Sequence, residues 1–196
     1  MGMRLLITFL SFVWVGAAQV TRAAVVAELN YARQHPQAYA NLIQQWAGHF
    51  QGRMLLLPGT TAVMTNEGAP AVLEAVRALR ATRPMGALAE STALDRAADD
   101  LVRDEGPRGG RGHVGADGSQ PWTRMQRYAK GLTGFGEANA YGPTDARSIV
   151  IGLLVDDGVP SRGHRVGLLN PIFTLAGVSY GRHATYNAMC VIDLAK

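Results

Sequence analysis

The stretch "YNAMCVIDLA", Tyr186 to Ala195, decides how this chain is read. Both of its alternating sets are mostly apolar: Tyr186, Ala188, Cys190 and Ile192 on one side, Met189 and Val191 on the other. A strand with one wet face alternates apolar with polar, whereas a strand apolar on both faces has to be covered on both. The run before it, "FTLAGVSYGRH" (Phe173 to His183), supplies a partner strand that returns through a turn near Arg182 to Thr185. Helices are then required on each side of the sheet. The expected fold is α/β, a three-layer α-β-α sandwich.

Working outward, helical periodicity is plentiful. "TDARSIVIGLLVDDG" (Thr144 to Gly158) repeats Ala146, Ile149, Val150, Leu153 and Leu154 at buried spacing, with Thr144 as the expected cap. "STALDRAADDLVRDEG" repeats Leu94, Ala97, Ala98, Leu101 and Val102, with Ser91 as N-cap and Gly106 as stop. "SQPWTRMQRYA" reads as a short helix capped by Ser119, and the glycine-bounded "GFGEANAYG" as a strand. Nearer the start, Pro36 divides two helices, and Tyr39, Leu42, Ile43 and Trp46 form one stripe on the second. Residues from about Gln51 to Gly68 read as a long surface loop, and "APAVLEAVRALRAT" resumes a helix that Arg83-Pro84 ends.

The first residues have the order of a secretory signal. A short positive start, Met1 to Arg4, precedes an apolar run from Leu5 and then small residues, with cleavage expected after Ala18, or as late as Ala23. Counted on to Ala18, the apolar run of about 14 residues would reach about 21 Å as a helix, short of a hydrocarbon core about 30 Å thick. No permanent membrane span is expected. The remainder, 24–196, reads as one domain with an extra loop and helix around 51–83.

Composition narrows the function classes. With 196 residues, 47% hydrophobic and 17% charged, the chain has enough apolar material for a core and too few charges for a disordered tail. The net charge is +4, but the arginines are scattered, so no nucleic-acid partner is expected. Cys190 is the only cysteine and cannot pair within the chain, so stability must come from packing. Its apolar setting predicts a buried, inert thiol.

Three motifs suggest chemistry and fail on context. "GRGHVG" (Gly110 to Gly115) fits a dinucleotide turn, yet a helix precedes it where a strand is needed. "GVSYG" (Gly177 to Gly181) fits a nucleophile elbow, yet only His183 and Asp193 follow, in the wrong order. Ser161, His164 and Asp156 or Asp157 have the residue types of a serine triad, which geometry alone defines.

Four polar places remain: His113, Glu137, the Asp156-Asp157 pair and His164. Their surroundings, "GHVGADGS", "GEANAYG" and above all "DDGVPSRGHR", resemble the bacterial secreted branch of the CAP superfamily (cysteine-rich secretory proteins, antigen 5, pathogenesis-related 1), also called SCP-like domains. The likeness runs from about Ala23 onward and is densest after Ser91. It implies an α-β-α sandwich with a small, mainly antiparallel central sheet and a cleft holding two histidines and two acids. By motif, His113 matches the first histidine, Glu137 the acid of the family's "GEN" element and His164 the second histidine. The second acid falls on Asp157, with Asp156 as the alternative; the family usually has glutamate there. Ala138 stands where "GEN" has asparagine, and Asn139 follows one place later.

The residues then imply a chemistry. Two neutral imidazoles can ligate Zn²⁺ or another divalent cation, with a carboxylate beside them. Without metal, each histidine can pair with an acid, making the cleft sensitive to pH. A polar network that merely ties segments of the fold together is the structural counterpart. Gly112 and Gly115 give the His113 loop room to bend the ring inward. Arg162 and Arg165 are near enough in sequence to neutralise the aspartates or to cap helix carbonyls. The resemblance implies a secreted or periplasmic, non-catalytic domain that binds a lipid, peptide or cell-envelope component. A metal-assisted hydrolase, with Glu137 as general base on a water between His113 and His164, is the alternative.

Overall fold

A computed structural model describes residues 20–196, so the expected signal segment 1–18 lies outside the described residues. Thr21 opens α1 (Arg22–Gln34), its hydroxyl accepting the Ala24 amide. Pro36 starts α2 (Pro36–Ala47), where its missing N–H costs nothing. The stretch read as a loop instead carries a small antiparallel meander, β1 (Phe50–Gln51), β2 (Met54–Leu55) and β3 (Val63–Met64). Strands of two residues are too short to show an alternation, which is why the sequence reads as irregular there.

After α3 (Ala69–Ala81) and β4 (Ala89–Glu90) comes α4 (Thr92–Arg108), capped by Ser91 as expected. Gly106 does not stop it. The helix runs through Gly106 and Pro107 and ends on Gly109 in the left-handed region. α5 (Pro121–Tyr128) begins without a side-chain cap, and Ser119 instead accepts Arg124 through its carbonyl and hydroxyl. β5 (Phe135–Tyr141) leads to α6 (Ala146–Val155), whose cap is the Asp145 carboxylate on the Ser148 amide, not Thr144. The short α7 (Gly163–Leu168) and the hairpin β6 (Leu175–His183) and β7 (Asn187–Ala195) complete the chain.

The main sheet has the order β4-β6-β7-β5, antiparallel except where β4 joins β6. β7 is buried from Ala188 to Ala195, as its two apolar faces required. Met189 and Val191 pack on Ala98, Leu101 and Val102 of α4. Cys190, Ile192 and Leu194 point the other way, into a core built with α1, α2, α3 and α6. Two helical layers thus enclose one sheet, and each fully buried Leu or Ile contributes roughly 1.5 to 3 kcal/mol. Cys190 is buried, and desolvation pushes its thiol up to about 12.

Glycines let α4 lie close on the hairpin. A methyl at Gly177 would overlap the backbone of Leu94 and Asp95, and one at Gly106 would press on the Arg182 carbonyl. Asp95 accepts the Val178 amide at 2.7 Å, and Gly106 accepts the Ala184 amide at 2.8 Å. His183 adds a third tie. Its Nδ1 accepts the Thr185 and Tyr186 amides, which leaves the proton on Nε2, donated to the Gly110 carbonyl at 2.7 Å. The end of α4 is thereby fixed, and with it the loop that carries His113.

Candidate functional site

The first half of the cleft is built on β5. Glu137 lies directly opposite Asp193 of β7 in the ladder. Its side chain is 1% exposed and holds Arg124, also 1% exposed, at 2.5 Å through Oε2. Oε1 lies 2.7 Å from His113 Nδ1. Arg124 in turn donates to the His113 carbonyl at 3.1 Å, so one guanidinium holds both members of the pair. The glycines beside His113 act in two ways. Gly112 has φ 124°, open to glycine, with its amide on the Tyr141 hydroxyl at 3.0 Å and its carbonyl on Asn139 Nδ2 at 2.5 Å. Gly115 is needed for space, because a methyl there would lie 2.7 Å from Ser119 Oγ.

Electrostatics follow from this packing. The hydrogen bond to Glu137 raises the His113 pKa above its ordinary value, outweighing the opposing effect of burial. Asp193 is fully buried, and its oxygens find no donor among the described residues. Burial first, and then the Glu137 charge, push it well above the carboxylate range.

The second half is a turn. Asp156 ends α6 in the left-handed region, 4% exposed, and its two oxygens accept the His164 amide at 2.9 Å and face the His164 Nδ1 at 2.7 Å. The carboxylate that holds His164 is therefore Asp156. Asp157 turns away and accepts the Asn66 and Glu67 amides at 2.6 and 2.8 Å. The arginines do not neutralise the aspartates. Arg162 pairs with Glu67 and Glu74, and Arg165 with Glu74, while both donate to carbonyls at the end of α6. Reversal of the backbone at Asp156 sends neighbouring side chains in different directions, and sequence spacing alone does not register it.

The two halves meet. The His113 and His164 rings lie 6.1 Å apart between centroids, tilted by 45°. In each ring the acid occupies the Nδ1 side, leaving Nε2 as the uncommitted nitrogen. His113 and His164 are the residues that would hold a divalent cation here, each through its Nε2. No cluster of three or more His, Cys, Asp or Glu suited to a metal occurs among the described residues, so the set amounts to two nitrogens and open positions.

Three participants have no role assigned by the sequence motifs. Arg124 looks like an ordinary polar residue of a short helix. Asn139 lies two residues from Glu137 on the same strand face, within 3.2 Å of His113 Nδ1 and Glu137 Oε1, while Ala138 packs into the core. Asp193 gave the one available signal, an acid interrupting an apolar strand. A cavity of about 350 Å³ that neither histidine lines is formed by Asp100, Asp104, Asp117 and Arg127 among others. Its carboxylates are already matched by arginines. Asp156 sits on His164 Nδ1 as a triad acid would, but the triad suggested by Ser161 does not form, since no hydrogen bond joins Ser161 to the ring. Ser179, the serine of the elbow-like motif, is buried in β6 and donates to Asp99.

Among solved structures, the chain is similar to an outer surface protein of Borrelia burgdorferi, with TM-score 0.49 and 20% identity over 57% of this chain and 79% of that one. It is also similar to an extracellular protein containing a SCP domain from Bacillus anthracis, with TM-score 0.48 and 21% identity over 65% of this chain and 38% of the other. No curated protein matches it significantly. Residues 73–194, more than half of the chain, match the profile of the CAP family, described as the cysteine-rich secretory protein family. The chain with this sandwich and this paired His/acid cleft belongs to the CAP family.

Proposed function

We propose that this chain is an exported, non-catalytic binding domain whose cleft takes a divalent cation such as Zn²⁺ between His113 and His164. A lipid, peptide or cell-envelope component is then bound at the same opening. The carrying observation is the pairing itself: each ring gives Nδ1 to its own carboxylate, and the two rings stand 6.1 Å apart with Nε2 uncommitted. Fixing Nδ1 on a carboxylate sets the tautomer and makes the other nitrogen a better ligand. A cation held there would supply a Lewis-acidic point with open positions, and the chain's own part is to orient the rings and screen the acids. With two nitrogens only, affinity is modest.

Binding is favoured over hydrolysis by the state of Glu137. Both of its oxygens are engaged, Oε1 by His113 and Asn139 and Oε2 by Arg124, and its side chain is 1% exposed. A general base must reach the water it deprotonates, and Glu137 has no free oxygen to offer. Export rests on the order of the first residues and on the family. Cleavage after Ala18 keeps Thr21, which caps α1, and Arg22, which holds Asp99 at 2.7 Å; cleavage after Ala23 would remove both. No helix among the described residues is long and apolar enough to cross a membrane.

Calorimetric titration of the full chain with Zn²⁺ near neutral pH tests the reading. One ion per chain is expected, lost in His113→Ala and in His164→Ala while the circular dichroism spectrum stays native. Absence of binding to the unaltered chain would falsify it. Turnover of a peptide or ester substrate that Glu137→Gln abolishes would favour the hydrolase.

A further inference from the structure

The His164 half of the cleft owes its shape to residues that lie ahead of the matched stretch 73–194. The turn joining α6 to α7 starts and ends on a non-glycine residue in the left-handed region, Asp156 at φ 56° and Arg162 at φ 50°. Such residues persist only where their surroundings determine them. Here the surroundings are Asn66 and Glu67. Asp157 accepts the Asn66 amide at 2.6 Å, the Asn66 side-chain amide at 3.1 Å and the Glu67 amide at 2.8 Å. Glu67 returns the grip, accepting the Gly158 amide at 2.8 Å and taking both terminal nitrogens of Arg162 at 2.7 Å each.

The grip closes on itself through Arg162. Its Nη1 also donates to the Asp156 carbonyl at 2.8 Å, so the residues at the two ends of the turn are joined by one guanidinium. Glu74 takes Arg162 Nε at 3.1 Å and Arg165 Nη2 at 2.5 Å, fastening the same turn to α3. Gly158 has φ 78°, and a methyl on it would overlap the Asn66 side chain, so the two segments are in close contact. An isolated surface ion pair would carry little, but a bidentate arginine inside a reciprocal network has geometric force.

We propose that Glu67 and Asp157 are positioning residues of the cleft: from two sides they lock the 156–162 turn in the conformation that presents Asp156 to both the amide and Nδ1 of His164. The proposal rests on the reading of the His113/His164 cleft as a binding site. Neither residue is a partner of either ring. The segment before α3 is then no passive elaboration, since its tip sets one of the two imidazoles.

The test is a long-range proton–nitrogen NMR spectrum of the full chain labelled at histidine, metal-free in the presence of EDTA. His164 is expected to show a single Nδ1–H tautomer, lost to averaging in Glu67→Ala and in Asp157→Ala, while His113 keeps its own pattern as an internal control. Glu67→Gln, which retains an oxygen for the Gly158 amide, is expected to restore the His164 signature. An unaltered His164 pattern in both alanine variants overturns the proposal, and so does equal loss at His113. Should the alanine variants fail to fold, amide exchange in the unaltered chain decides. A common rate for Glu67, Gly158 and His164 supports the lock, and protection of His164 while the other two exchange freely overturns it. A chain that binds no Zn²⁺ would remove the cleft reading and leave this result standing.

Discussion

The two halves of the cleft contain the same chemistry and are built by different physics. In each, a carboxylate lies 2.7 Å from a histidine Nδ1. Glu137 stands on a strand of the main sheet, opposite Asp193 and against a buried arginine, so its position is set by the ladder and by a fully desolvated ion pair. Asp156 stands at a helix end in a left-handed conformation, and its position is set by a turn that other segments grip. One half is rigid because it is buried in the sheet, and the other because it is clasped. Perturbations should therefore reach them by separate routes.

The largest effect is expected from the buried half. Arg124→Met removes one partner of a desolvated pair and leaves Glu137 Oε2 buried without its guanidinium, which should cost about 3 to 5 kcal/mol in urea unfolding. A loss below about 1 kcal/mol would mean that the carboxylate finds water and is not held as described.

Next comes Gly158→Ala, which attacks the clasped half through its backbone. A left-handed non-glycine residue, together with the overlap on Asn66, should cost roughly 1 to 3 kcal/mol by the same measurement. Wild-type stability in this variant would show that the turn has other conformations open to it.

Asp156→Asn separates charge from geometry, because asparagine tolerates the left-handed region. Zn²⁺ affinity is expected to fall about tenfold, the lower end of what loss of a supporting partner costs, with little change in stability. A larger loss of stability than of affinity would make Asp156 a turn residue first.

The smallest effect concerns pH. His113 has its pKa raised by Glu137, so its charged form is the one favoured by folding. The contribution is fully present below the unfolded value near 6.5 and is lost as pH rises through the higher folded value. Midpoints of urea unfolding from pH 6 to 9 should fall more in the unaltered chain than in His113→Ala. With the His113 side chain 45% exposed, the difference is small, and no difference at all would remove the pair as a contributor.

Much of the fold was legible because it depends on local repetition. The double apolar alternation of Tyr186 to Ala195 called for two helical layers, and Met189 and Val191 do face α4 while Cys190 and Ile192 face the opposite core. Ser91 at the start of α4 and Pro36 at the start of α2 act through their nearest neighbours and read correctly. One misreading arises where a distant partner outbids a local rule, and the others turn on near neighbours. Gly106 looked like a helix stop, but its lack of a side chain serves the approach of the hairpin. Ser119 looked like a cap, but Arg124 claims it.

The sequence by itself determined the layers, the covered central strand and the residue types of the cleft, because hydrophobic periodicity and short motifs are written in nearest-neighbour spacing. Only the tertiary structure decided that Asp156 and not Asp157 serves His164, and that Arg124 and Asp193 stand behind Glu137. The reason is that a left-handed residue reverses the chain within one step, and a buried charge takes whatever partner the folded layers bring to it. Neither has a signature in a run of residues read one after another.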